Sequence, residues 1–149
     1  MEIYVGADYH GFELKNQLVD FLRARGDDVT DEGAFEYREG DDFNDPAIKV
    51  AKNVRENRGS VGILICDSAH GVTIQANRFK MIRAAHCGSE EDAVLAREHD
   101  DANVLCLSAR FTDFEKAKNI VTKFLGTDFT NLERRVRRIN RLDEREDYD

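Results

Sequence analysis

The sequence has no tryptophan, a single proline (Pro46) and only three cysteines, and each scarcity removes a class of protein. Three cysteines cannot close a disulfide framework. No two of them stand at C-x-x-C spacing, which also argues against a four-cysteine metal site. A reducing cytoplasm is the expected location, and each thiol needs its own explanation. No apolar run approaches the roughly 20 residues of a membrane span. The first residues enter an apolar, strand-like run without the basic start of a signal peptide. Positive charge is also short: 22 Lys and Arg stand against 30 Asp and Glu, a formal charge of -8 over 149 residues. Such a surface repels phosphate backbones and argues against nucleic acid as a partner. Any phosphorylated ligand must therefore be met by a local basic cluster. The chain has no G-x-G-x-x-G and no Walker loop, so a nucleotide cofactor has no support in the sequence.

What is present is an alternation of short apolar runs with helical patterns. Ile3 to Ala7 is the first run, and Leu14, Leu18, Phe21 and Leu22 then recur at helical spacing before Gly26. Val29 marks a brief second strand ending at Gly33. An acidic stretch from Phe35 to Asp45 reads as a surface loop, and Pro46 opens a helix striped by Ile48, Val50, Ala51 and Val54. Val61 to Cys66 is the most apolar run and reads as a central parallel strand. A helix over 72–78, a strand over 82–86, a helix over 90–98 capped by Ser89 and a strand over 103–107 follow. Helices over 114–125 and 132–145 complete the chain, and residues 143–149 are expected to fray. The pattern predicts one α/β domain over 1–149, a Rossmann-like three-layer sandwich with a five-stranded parallel sheet. Ligands in such sheets sit beyond the carboxyl ends of the strands.

That rule directs attention to Cys66, which ends the strongest strand and precedes Asp67, Ser68, Ala69, His70 and Gly71. A helix amino terminus beside a thiol lowers its pKa, and free N–H groups in the loop can hold an oxyanion. The bland alternative is a small buried hydrophobe; Cys87 and Cys106 fit that alternative better. Asp8, Tyr9 and His10 follow the first strand, where a carboxylate and an imidazole suit sugar hydroxyls or acid–base work; a helix cap and a solvated histidine are the plain alternatives. His99, at a helix end before Asp100 and Asp101, is by itself as well explained as a dipole partner. Arg134, Arg138, Arg141 and Arg145 share one face of the last helix. They make either a solvated stripe paired to Glu133, Asp143 and Glu144 or a clamp for phosphate oxygens.

Taken together, these positions resemble the family of type B ribose-5-phosphate isomerases and related galactose-6-phosphate isomerase subunits. The resemblance runs from Ile3 to about Arg138. It is carried by Gly6-Ala7-Asp8, by Gly11-Phe12-Glu13-Leu14-Lys15, by Cys66 with its loop and Ile74-Gln75-Ala76-Asn77-Arg78, and by His99-Asp100-Asp101-Ala102-Asn103-Val104-Leu105. It implies that Cys66 moves a proton between C2 and C1 of a sugar phosphate through an enediolate. It implies that Ser68 supplies a hydroxyl near the reacting oxygens and that His99 helps open the ring. Asp8, Tyr9 or His10, Asp67, Ala69, His70, Gly71 and Asp100 would then contact substrate, with Arg134 and Arg138 on the phosphate. It implies a homodimer or homotetramer with active sites at the subunit interface, and it implies no metal or organic cofactor.

The departures from the family pattern fall at substrate-facing positions. Tyr9 replaces a histidine, with His10 one place later. Asp67 and Ala69 replace glycines, Asp100 replaces an asparagine, and Asn44-Asp45-Pro46 stands for Asp-Tyr-Pro. Asp67 is expected to place negative charge near the site and to raise the Cys66 pKa unless it points away. Ribose 5-phosphate is the default substrate; galactose 6-phosphate, allose 6-phosphate and a tetrulose phosphate are alternatives. The rival expectation is a non-catalytic sugar-phosphate-binding or partner subunit.

Overall fold

The computed structural model describes residues 1–144. Strands β1 (Glu2–Ala7), β2 (Asp28–Asp31), β3 (Val61–Cys66), β4 (Ala84–His86) and β5 (Val104–Ser108) form one sheet in the order β2-β1-β3-β5-β4. Every pairing is parallel. The helices are α1 (Phe12–Ala24), α2 (Asn44–Glu56), α3 (His70–Ala76), α4 (Glu90–Asp100), α5 (Phe114–Gly126) and α6 (Glu133–Glu144). A 3₁₀ turn over Tyr9–Gly11, which the periodicity did not reveal, precedes α1. Arg145 and the four residues after it lie outside the described residues. Asp143 and Glu144, expected to begin a frayed tail, belong to α6, and Asp143 accepts from Arg83 at 2.9 Å.

Alternation along the strands builds two cores. Ile3, Val5, Ile63, Ile65, Leu105 and Leu107 face α1, α4 and α5, whereas Tyr4, Leu64, Cys66, Val104 and Cys106 face α2 and α3. All six residues of β3 are buried, as expected of a strand covered on both faces. Ser89 caps α4 by accepting from the Asp92 N–H at 3.1 Å. Lys15 is wholly buried and donates to both oxygens of Asp31 at 2.8 and 2.9 Å. Its charge is thus met by a carboxylate that ties α1 to the end of β2.

Glycines set the distance of α2 from the sheet. A Cβ on Gly62 would lie 2.6 Å from Val50 Cγ1 and 3.2 Å from both Val54 and Val104, and one on Gly6 would lie 3.0 Å from the Pro46 Cβ. The helix therefore rests directly on the backbones of β1 and β3. Gly62→Ala is expected to destabilise the fold by about 1–3 kcal/mol through overpacking. Urea unfolding measures this, and adding Val50→Ala should recover part of the loss by making room for the new methyl.

Candidate active site

Parallel pairing of Ala7 with Ile65 and of Cys66 with Ser108 sets the ends of β1, β3 and β5 level. The chain turns to opposite sides of β1 and β3, so this is the switch point at which open α/β sheets hold ligands. Gly11 allows the turn after β1 to press on β3, since a Cβ there would stand 2.8 Å from the Ile65 carbonyl oxygen. Asp8, buried at the end of β1, accepts from the His10 N–H at 3.0 Å and the Gly11 N–H at 3.2 Å. Its other oxygen lies 3.3 Å from His10 Nδ1. The aspartate is thus both the cap of the turn and the orienter of an imidazole. The Tyr9 and His10 rings lie against one another at 4.0 Å between centroids, and Tyr9 meets Tyr37 edge-on. His10 also helps to lower the Asp67 pKa. The imidazole one place late in sequence therefore lies between the loops that follow β1 and β3.

Cys66 is 5% exposed. Burial is the largest influence on its thiol and pushes the pKa up; N–H groups of Val72, Ala69 and Gly71 act against it, and the Asp8 carboxylate raises it further. The net direction is upward. This corrects the expectation that the helix amino terminus leaves the thiol acidified: α3 has only two turns, and desolvation outweighs its donors. The same N–H groups, expected to hold an oxyanion, also favour the thiolate over the thiol. Ala69 adopts φ 73° to present them, a left-handed conformation that disfavours a Cβ and explains why glycine suits this position. The Ser68 Oγ accepts from the His70 N–H at 3.2 Å. Cys87 and Cys106 are buried, both pushed by desolvation to about 12, in keeping with inert packing.

Asp67 is held away from the role expected of it. Its carboxylate takes a forked contact from Arg110, Nη2 at 2.8 Å and Nε at 3.2 Å, which holds its pKa below the usual carboxylate range. Of the two aspartates, it is Asp8 that weighs on the thiol. Arg110 lies 43 residues away in sequence, and no local signal announced it.

The acidic stretch is more than a surface loop. Asp41 accepts from the Tyr9 N–H at 2.9 Å, and the Phe43 ring covers Gly71, where a Cβ would lie 2.8 Å from ring carbons. Asn44 donates to Gln75 at 2.9 Å. His86, also unforeseen, faces His70 at 6.1 Å between ring centroids; burial and the His70 charge lower its pKa.

The remaining predicted residues are elsewhere. Helix α4 runs back from the carboxyl end of β4, so His99 and Asp100 stand, exposed, at the amino end of β5. Gly62 pairs with Val104 and Cys66 with Ser108. Four strand residues, about 13 Å, therefore separate the two ends before any loop is counted. Helix α6 is on the same far side. Its Val136, Ile139 and Asn140 share a cavity of about 570 Å³ with Ser60, Val61 and Asn103. Arg137 pairs with Glu133, whereas Arg134 and Arg138 are exposed with no ion-pair partner among the described residues. A second cavity, of about 690 Å³, lies along β4 and α3. Neither cavity is lined by Cys66 or Asp8. Among the described residues no group of three or more His, Cys, Asp or Glu side chains is set to hold a metal ion, and no helix is long and apolar enough to cross a membrane.

An open parallel sheet with its switch point between β1 and β3 defines an α/β protein of the class that holds ligands beyond its strand ends. The chain belongs to the ribose/galactose isomerase family, whose profile matches residues 3–142. It is 36% identical over 144 residues to ribose-5-phosphate isomerase B of Mycobacterium leprae, covering 97% of this chain and 89% of that one. The ribose 5-phosphate isomerase of Thermotoga maritima superposes with a TM-score of 0.92 at 38% identity, over 97% and 98% of the two chains. Ribose-5-phosphate isomerase B of Mycoplasma genitalium, solved with bound ribulose 5-phosphate, gives 0.93 at 38% identity, over 96% and 94%.

Alkylation of the free protein by iodoacetamide should accelerate with pH and reach half its maximal rate above the value for an unburied thiol, because burial prevails at Cys66. Asp8→Asn keeps a capping side chain but removes a negative charge, so the inflection should move down. Mass mapping should place the label on Cys66, with Cys87 and Cys106 unlabelled at about pH 8.5.

Proposed function

We propose that this chain interconverts an aldose phosphate and its ketose phosphate, with ribose 5-phosphate and ribulose 5-phosphate the first pair to test, and that Cys66 carries the proton. The observation that carries this reading is the Cys66 thiol at the carboxyl end of the central strand β3, level with Asp8 at the end of β1 and followed at once by the amino end of α3. The Cys66 thiolate removes the proton from C2 of the opened aldose. The C1 carbonyl oxygen takes up the resulting charge as an enediolate; the hydroxyl proton moves from O2 to O1, and the thiol returns its proton to C1, leaving a C2 ketone. The three N–H donors stabilise sulfur as an anion. Asp8 and His10 bind hydroxyls near the reacting carbons, and Ser68 offers a hydroxyl beside them. No step calls for a redox cofactor, and the reduced thiols fit a cytoplasmic location.

The site is completed by a second copy of the chain. His99, Arg134 and Arg138 have the chemistry for ring opening and for gripping phosphate, but they stand at the opposite end of the sheet from Cys66. A twofold pairing sets the far end of one copy against the Cys66 end of the other and generates two equal sites. Phosphate gripped by an arginine pair then positions the carbon under the sulfur.

Cys66→Ser should lower deuterium exchange from heavy water into C1 and C2 by at least about 100-fold, the scale of a lost acid–base group. Wild-type protein that exchanges no deuterium into a panel of pentose, hexose and tetrose phosphates, yet binds them, would instead be a partner subunit. Mixing inactive Cys66→Ala protein with inactive Arg134→Ala/Arg138→Ala protein under exchanging conditions should restore about a quarter of wild-type activity. One site of each mixed dimer is then intact. No recovery in a proven mixed dimer would rule out shared sites.

A further inference from the structure

The mechanism leaves one buried charge unused. Lys15, in the first turn of α1, has its side chain wholly shut from water, and its ammonium donates to both oxygens of Asp31 at 2.8 and 2.9 Å. A buried ion pair is weak evidence for stability, since apolar residues of similar volume often serve as well. What distinguishes this pair is where its contacts lead. Asp31 Oδ1 also accepts from the Gly33 N–H at 2.8 Å. The Gly33 carbonyl accepts from the Ala7 N–H at 2.7 Å, and the Ala34 N–H donates to the Ala7 carbonyl at 2.8 Å. The ladder of β2 is thus prolonged along β1 up to the residue before Asp8. A second route runs over aromatic rings. The Lys15 ammonium lies 5.5 Å from the Phe12 ring centre. Phe12 meets Tyr37 at 6.4 Å, Tyr37 meets Tyr9 at 5.9 Å, and Tyr9 lies against His10 at 4.0 Å. Phe12 itself follows Gly11, whose N–H donates to Asp8.

We propose that the Lys15–Asp31 ion pair is a positioning element of the isomerase site. It fixes Asp8 and His10 through the Gly33–Ala7 contacts on one side and through the Phe12, Tyr37 and Tyr9 rings on the other. This rests on the reading of Asp8 and His10 as substrate-facing residues, but not on which sugar turns over. Both routes start from one ammonium group and end on one aspartate–histidine pair, whose carboxylate and imidazole are 3.3 Å apart. A buried charge pair resists displacement, because moving either partner leaves an unpaired charge in a place without water. Apolar packing opposes a small slide far less, and groups that hold substrate near a reacting carbon tolerate little misplacement. Lys15 does not act on the sulfur by its own charge: the charge that weighs on Cys66 is that of Asp8. The influence of the ion pair therefore passes through Asp8 and can be read there.

The test is a cycle in which Asp8→Asn is made with and without the ion pair, read by iodoacetamide alkylation of Cys66 against pH. Lys15→Met/Asp31→Asn removes both charges, nearly conserves volume and leaves Gly33 an acceptor. In the wild-type background Asp8→Asn should move the alkylation inflection down. In the Lys15→Met/Asp31→Asn background that displacement should fall to about half or less, because Asp8 no longer holds its place. The KM for ribose 5-phosphate should rise about three- to tenfold in the Lys15→Met/Asp31→Asn protein. Its urea unfolding should keep one cooperative transition. An Asp8→Asn displacement of the same size in both backgrounds would overturn the proposal and leave the pair a packing device. So would an unchanged KM. Should the double replacement fail to fold, Asp31→Asn alone, which keeps an acceptor for both Lys15 and Gly33, carries the same cycle with the same two outcomes. Because alkylation needs no turnover, an inactive wild type would sink the isomerase reading while leaving the cycle intact.

Discussion

Strand β3 is the constraint on which the rest of the molecule depends. It is paired in parallel on both edges and buried on both faces, so its direction, its register and its end point are all fixed at once. Its register with β1 brings Asp8 level with Cys66, and its register with β5 brings the Ser108–Arg110 loop against Asp67. A slip of one residue along either edge would turn every aliphatic side chain of β3 to the other face. It would bury the sulfur among α1, α4 and α5 rather than beside the α3 donors. Core packing and site geometry are therefore the same requirement, and Gly62 and Gly11, which let α2 and the first turn touch the strand, serve both.

Charge is managed locally rather than globally. The chain carries a formal charge of -8, and three of its aspartates lie at the mouth of the site. Each is engaged by a donor: Asp8 by two N–H groups, Asp41 by the Tyr9 N–H and Asp67 by Arg110. Such contacts to a charged group stabilise by roughly 1.5–3 kcal/mol when shielded from water and by less when exposed. They hold the carboxylates in place and spread their charge, so the acidity of the whole chain does not govern the site. The exception is Asp8, which still raises the Cys66 pKa.

The order of strands and helices was legible because hydrophobic runs of four to six residues alternate with amphipathic helical patterns, and local periodicity needs no tertiary information. Cys66 stood out for the same reason, as the last residue of the longest buried strand. What local pattern could not supply was anything set by contacts across the sheet. The Asp67–Arg110 fork spans 43 residues, the Phe43 ring reaches Gly71 from a loop that composition marks only as acidic, and the His70–His86 pair joins a helix start to an edge strand. The direction of the thiol pKa was misread for a related reason: a helix start is visible in sequence, but the depth at which a side chain sits behind it is not. The left-handed Ala69 shows the converse, since a glycine expected from the family pattern pointed to a backbone requirement that the alanine here meets under strain.

The two ends of the sheet have complementary deficits. The Cys66 end has a thiol whose ionisation is opposed by burial and by Asp8, and neither described cavity of more than 500 Å³ opens onto it. The far end has exposed arginines without ion-pair partners among the described residues, and an exposed histidine with no reacting atom near it. Bringing two guanidinium groups and a bound substrate against the first end would supply a wall, exclude water and place positive charge where the thiolate and enediolate form. Positive charge lowers the pKa of a neighbouring thiol, and in a water-poor site it does so over a longer range than at a surface. Under the twofold assembly proposed above, the lone chain would keep its sulfur protonated, and a base would form only where substrate and a second copy meet. A thiol left acidic on an open surface would instead be exposed to oxidation and alkylation, so an upward shift in the lone chain is what the proposed assembly would call for.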